Sequence, residues 1–122
     1  MIATQTDSGY DLGMTRGDTE TLTVTMTVEE DGTPGIFDAV EAVLTVRTSR
    51  EGAMIFQLNA SSISEGVAVF EFAPELTASL KAGRYVYDIQ ATTAEGVVKT
   101  PLGGLKKPCY LTLWQDVTYG GN

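Results

Sequence analysis

Hydrophobic and polar residues alternate along most of this chain with a period of two, and the alternation restarts after each turn signal. Residues 21–28 are the clearest case: Leu22, Val24, Met26 and Val28 point one way, and Thr21, Thr23, Thr25 and Thr27 the other. This pattern, with β-branched residues on the wet side, predicts a half-buried antiparallel strand. The segment runs into Glu29-Glu30-Asp31-Gly32, where Asp-Gly suits a hairpin turn with positive φ. Residues 40–47 repeat the theme, with Val40, Ala42, Leu44 and Val46 as the expected core face. Residues 53–58 put Met54, Phe56 and Leu58 on one face and Ile55 on the other, and residues 67–72 turn Ala68, Phe70 and Phe72 inward. Pro74 ends that run and is acceptable at the start of a helical turn over 75–80. Tyr85, Tyr87, Ile89 and Ala91 then line a long strand. Glu95-Gly96 turns the chain into Val97-Val98-Lys99-Thr100, which Pro101, Gly103 and Gly104 interrupt, and residues 109–114 form the last strand.

Six or seven short strands at even spacing, with no amphipathic helix, predict an all-β antiparallel sandwich of about seven strands. It is expected as a single domain over residues 10–118, with residues 1–9 a flexible N-terminal arm and 119–122 a flexible tail. The longest apolar run is too short to span a bilayer, so no membrane partner is expected.

Composition narrows the chemistry. Among 122 residues there are no histidines and one cysteine, which excludes a disulfide framework, a Cys/His zinc site and any His-dependent triad. The expectation is no catalytic residue, no cofactor and no metal. The net charge of −8 is uneven: residues 1–46 hold nine acids and one base, whereas residues 47–122 hold seven of each. An acidic first half repels phosphate backbones, so nucleic acid is not an expected partner. Glu29, Glu30 and Asp31 lack the alternating acids of a calcium loop and read as a solvated hairpin tip. Arg16-Gly17-Asp18 matches an integrin-binding tripeptide, but three residues recur by chance, and an exposed turn is the expected role. Cys109 has no histidine to activate it and reads as a small apolar residue in the last strand.

Leu80-Lys81-Ala82-Gly83-Arg84-Tyr85 resembles the corner before the sixth strand of immunoglobulin-like domains. There a Leu packs inward, a Gly turns the chain, and a Tyr bonds upstream backbone. The resemblance makes Leu80, Gly83 and Tyr85 the structural corner; Tyr87 stands where an antibody-type domain has its cysteine. A longer series comprises Arg16-Gly17-Asp18-Thr19, the Thr-rich strand, Asp31-Gly32-Thr33-Pro34, Gly66-Val67-Ala68-Val69-Phe70, Gly83-Arg84-Tyr85-Val86-Tyr87-Asp88-Ile89, Glu95-Gly96-Val97-Val98-Lys99-Thr100 and Gln115-Asp116-Val117-Thr118. It is similar to the N-terminal immunoglobulin-like domain of phage baseplate upper proteins and to related small phage structural proteins. Leu105-Lys106-Lys107-Pro108 departs from that pattern.

The resemblance implies a non-enzymatic accessory structural protein of a bacteriophage virion, made in the host cytoplasm and placed on the exterior of capsid or tail. Its partners would be tail, baseplate or major capsid proteins, with homo-oligomeric or lattice-bound copies. A tail or baseplate adaptor and a capsid decoration protein both fit, and a carbohydrate-binding or adhesion module is the alternative. Candidate interface residues are Ile2, Thr4 and Gln5 in the N-terminal stretch and Lys106 and Lys107 in the basic loop. Tyr110 and Trp114 complete the set; they fall on one face of the last strand, which is either core or an open face where such residues anchor partners.

Overall fold

The computed structural model describes residues 1–103 and 107–115. The chain opens with β1 (Ile2–Thr6), β2 (Gly9–Thr15), β3 (Glu20–Thr25), β4 (Thr27–Glu30), β5 (Thr33–Ile36) and β6 (Ala39–Arg47). It continues with β7 (Met54–Asn59), β8 (Ser62–Ser64), β9 (Val67–Phe72), the helical turn α1 (Pro74–Ala78), β10 (Gly83–Thr93), β11 (Val98–Leu102) and β12 (Cys109–Trp114). Seven strands form one sheet in the order β1-β2-β12-β10-β6-β7, with β11 on the far end of β10. β3, β9 and β8 form the second sheet, and β4 and β5 make a separate hairpin. The pairing is antiparallel except between β2 and β12, which run parallel with Leu12 opposite Leu111. The protein is thus an all-β sandwich, built among the described residues from twelve strands rather than about seven, because bulges, bends and short edge strands divide the expected segments, and from one parallel pair rather than wholly antiparallel ones.

The core lies where the two inner faces meet. Leu12 and Met14, Ala42, Leu44 and Val46, Tyr87, Ile89 and Ala91, and Leu111 and Leu113 project from the large sheet. Val24, Ala68, Phe70 and Phe72 oppose them, and Phe72 meets Phe56 edge-to-face at 6.4 Å. Alternation therefore reads the inner faces of β9 and β10 correctly, and of the two faces it left open for β12 the one bearing Cys109, Leu111 and Leu113 is the inner. It slips at two bulges, each adding a residue that inverts the pattern beyond it. Val40 is the extra residue of β6 against β10, so Ala39 is buried and Val40 is 58% exposed. Ile55 is the extra residue of β7 against β6, so Ile55 packs on the core while Met54 faces out.

The Thr-rich segment is broken as well. At buried Met26 the chain leaves the small sheet, its N–H donating to Gly66 O, and it continues into the β4–β5 hairpin. Asp31 and Gly32 turn that hairpin with φ of 52° and 77°, the positive values the Asp-Gly pair is suited to.

The largest departure is at the N-terminus. Residues 1–9 are no free arm: β1 pairs in full register with β2, from Ile2 opposite Gly13 to Thr6 opposite Gly9. The Met1 α-amino group donates to the Glu20 carboxylate at 2.5 Å and so joins the first residue to the opposite sheet. A stretch this polar shows no core alternation because, as an edge strand, most of it is exposed on both faces.

Two tyrosines organise the corner and the first hairpin. The Tyr85 hydroxyl donates to Lys81 O at 2.7 Å, at the exposed rim, while its half-buried ring packs on the core beside Leu80. Gly83 adopts a φ of 150° at the start of β10. The Tyr87 hydroxyl donates to Tyr10 O at 2.5 Å from within the core. Burial first, then neighbouring Cys109 and Asp11, push its phenol above the ordinary tyrosine range, so it remains a donor. Tyr87→Phe should therefore cost about 1–2 kcal/mol, because it removes the partner of the Tyr10 carbonyl in a part-buried bond. Tyr85→Phe, whose bond is open to water, should cost about 0.5 kcal/mol. Urea unfolding of the two variants should preserve that order.

Candidate functional site: the outer face of the large sheet

The face of the large sheet turned away from the core gathers the chemically distinctive side chains. Register defines it. Ile2, Thr4, Asp11 and Gly13 share this face through the β1–β2 ladder, and Tyr110, Thr112 and Trp114 through the parallel β2–β12 pairing. Arg84, Val86 and Asp88 follow on β10, then Thr45 and Arg47 on β6 and Gln57 on β7. Cys109, Leu111 and Leu113 take the inward positions of β12, so Tyr110 and Trp114 take the outward ones. Of the two roles open to these aromatics in the sequence, the open face is the one observed.

Trp114 is 44% exposed and lies across Gly13. Three carbons of its ring stand 2.4, 2.8 and 3.0 Å from where a Cβ at Gly13 would sit. Only glycine leaves room for an indole flat against the strand. Tyr110 is half-buried, with the Arg84 guanidinium 3.9 Å from its ring centroid and its N–H donating to Asp11 Oδ1 at 3.1 Å. Ile2, 60% exposed, completes this apolar half of the face beside Gly13.

The other half is polar. Val43, Thr45, Arg47, Gln57, Asn59, Asp88 and Gln90 line an open depression. Gln57 Nε2 donates to Thr45 Oγ1 at 3.1 Å, and Arg47 Nη1 donates to Gly52 O at 3.3 Å. Burial raises the Asp88 carboxyl above its ordinary value, with Arg47 opposing the effect.

The remaining candidates separate. Thr4 joins the outer face, whereas Gln5 alternates to the other side of β1. Lys107 is exposed; Lys106 and the Asp116-Val117-Thr118 part of the C-terminal string lie outside the described residues. Arg16-Gly17-Asp18 is tied into the fold, since Arg16 Nη1 donates to Leu80 O at 3.0 Å and the Gly17 N–H to Thr77 Oγ1 at 2.8 Å. Thr77, a fully buried polar residue of α1, is an anchor that the sequence does not announce. Cys109 is fully buried, its Sγ–H donating to Ser8 O at 3.4 Å. Glu29 and Asp31 sit at the exposed tip of the β4–β5 hairpin. No group of three His, Cys, Asp or Glu stands ready for a metal among the described residues. No protein-family model matches the chain, and no curated protein matches it.

Two outcomes test this geometry. Gly13→Ala should displace the indole into water, shifting emission of the single tryptophan to the red, at a stability cost of about 1 kcal/mol or less. Unchanged emission would mean that the ring does not rest on Gly13. Asp88 supplies a pH signature. A folded-state pKa above the unfolded one means that the native state holds more protons between the two values, so stability falls as pH rises through that window. Asp88→Asn should flatten this part of the Tm-against-pH curve; an unaltered curve would contradict the burial of Asp88.

Proposed function

We propose that the protein is a non-enzymatic accessory structural protein of a bacteriophage virion, docking in multiple copies on other virion proteins through the outer face of its large sheet. The observation that carries the docking surface is the seating of Trp114 on Gly13. A large aromatic is kept out of the core and displayed on a rigid strand beside Tyr110 and Ile2, the kind of anchor that dominates protein interfaces. The virion setting comes from the resemblance of the motif series to phage structural domains. A tail or baseplate adaptor and a capsid decoration protein both use such a face, and the neighbours of the chain in an intact particle distinguish them. In particles assembled with Trp114→Ala, loss of a hot-spot side chain worth about 2 kcal/mol should weaken docking roughly thirtyfold. Wild-type occupancy with both Trp114→Ala and Tyr110→Ala would place docking elsewhere.

A carbohydrate-binding module is the second reading. It is favoured by the exposed indole sharing a face with the amide-lined depression around Asp88. A saturable change in Trp114 fluorescence on adding a host surface polysaccharide, lost in Gln57→Ala, would support it over the first.

A further inference from the structure

The exposed strand edges of this sandwich differ in how they are guarded. Edges invite pairing with other chains, and proteins blunt them with charge, proline, bulges or brevity. β11 carries Lys99 and Pro101, β5 carries Pro34, β4 carries Glu29, and β8 has three residues. β7, at one end of the large sheet, is bulged at Ile55. β3 begins with Glu20, whose carboxylate holds the Met1 amine. β1, at the other end of the large sheet, has none of these devices. Its five residues, Ile-Ala-Thr-Gln-Thr, bear no charged side chain and no proline, and its ladder with β2 runs without a register shift.

Among the described residues no strand pairs with the other side of β1, and the backbone groups directed there can be assigned. The loop from Thr6 to Gly9 has two residues, so Thr6 and Gly9 close the hairpin as a hydrogen-bonded pair. Bonding alternates along an antiparallel ladder, so Ile2, Thr4 and Thr6 bond to β2, while Ala3 and Gln5 direct their N–H and C=O groups outward. The other side of β2 agrees: even-numbered Arg16, just past the strand, donates its N–H to Trp114 O at 3.0 Å, towards β12.

We infer that β1 is a self-pairing edge, which joins the large sheets of two copies antiparallel about a two-fold axis through Thr4. In that register Ala3 of one copy faces Gln5 of the other, and all four outward groups of each strand are satisfied. Thr4 faces its own copy as a non-hydrogen-bonded pair, in which side chains approach most closely and Thr–Thr contacts are favourable. Exposed Ile2 gains the partner's Thr6 as its cross-strand neighbour. The outer faces bearing Trp114 and Tyr110 become one continuous surface on the joined sheet. The pairing is a property of the purified chain and does not rest on the virion reading, so particle occupancy and self-association can fail separately.

Sedimentation equilibrium of the purified protein should show a dimer that dissociates on dilution. Thr4→Lys sets like charges on the axis and should give monomer with an unchanged Tm under dilute conditions. An equimolar mixture of Thr4→Lys and Thr4→Glu should recover the dimer. Gln5→Pro deletes an outward N–H without touching the β2 ladder and should also give monomer. Under mild oxidation Thr4→Cys should cross-link to a covalent dimer and Ile2→Cys should not. A wild-type chain that stays monomeric at all concentrations overturns the proposal. So does a dimer that survives Thr4→Lys and Gln5→Pro, or a Lys/Glu mixture that stays monomeric.

Discussion

The parallel alignment of β2 with β12 is the constraint on which the rest of this molecule depends. It sets Gly13 beside Thr112 and within reach of the Trp114 ring, and so creates the seat for the indole. It also brings Tyr110 N–H to Asp11 and puts Tyr10 and Ser8 carbonyls where the Tyr87 hydroxyl and Cys109 thiol donate to them. With β2 held by β12 on one side, its other side is left to β1, which thereby becomes the end of the large sheet. The outer face proposed for docking and the undefended edge are two results of one strand pairing.

Three of those contacts converge on a small region. A phenol, a thiol and a carboxylate each meet a backbone group, and two of the three side chains belong to Tyr87 and Cys109, which stand opposite each other on β10 and β12. In an antibody-type domain the position of Tyr87 carries a cysteine bonded across the sandwich. Here the phenol reaches along the large sheet instead, fixing β2 within the same sheet rather than one sheet to the other. Apolar packing around Phe70 and Phe72 joins the two sheets, with the Met1–Glu20 contact at the rim.

Period-two alternation made the inner faces of β9 and β10 legible in the sequence, because each of those strands has one face on a continuous core. It failed where the ladder departs from one-to-one pairing, since the extra residues Val40 and Ile55 are ordinary β-formers with nothing local to mark a bulge. It failed again for β1, whose polar composition resembles a loop and whose strand character comes from a neighbour rather than from its own burial. For the candidate site, sequence placed Tyr110 and Trp114 on the same face but left open which face, because alternation reports phase and not direction. Gly13 was the missing signal. A glycine between Leu12 and Met14 has no local role, and its meaning appears only when a partner from the far end of the chain is laid beside it.

Asp11 and Tyr110, joined by a hydrogen bond, lie 99 positions apart. During synthesis the first hairpin leaves the ribosome long before the strand that holds it, so for most of translation β2 has β1 as its only possible large-sheet neighbour. The β2 side of this sheet therefore waits for β12, a long-range closure of the kind that slows folding of β-proteins. Until β12 arrives, the nascent chain exposes the β12-facing side of β2 as a second open edge.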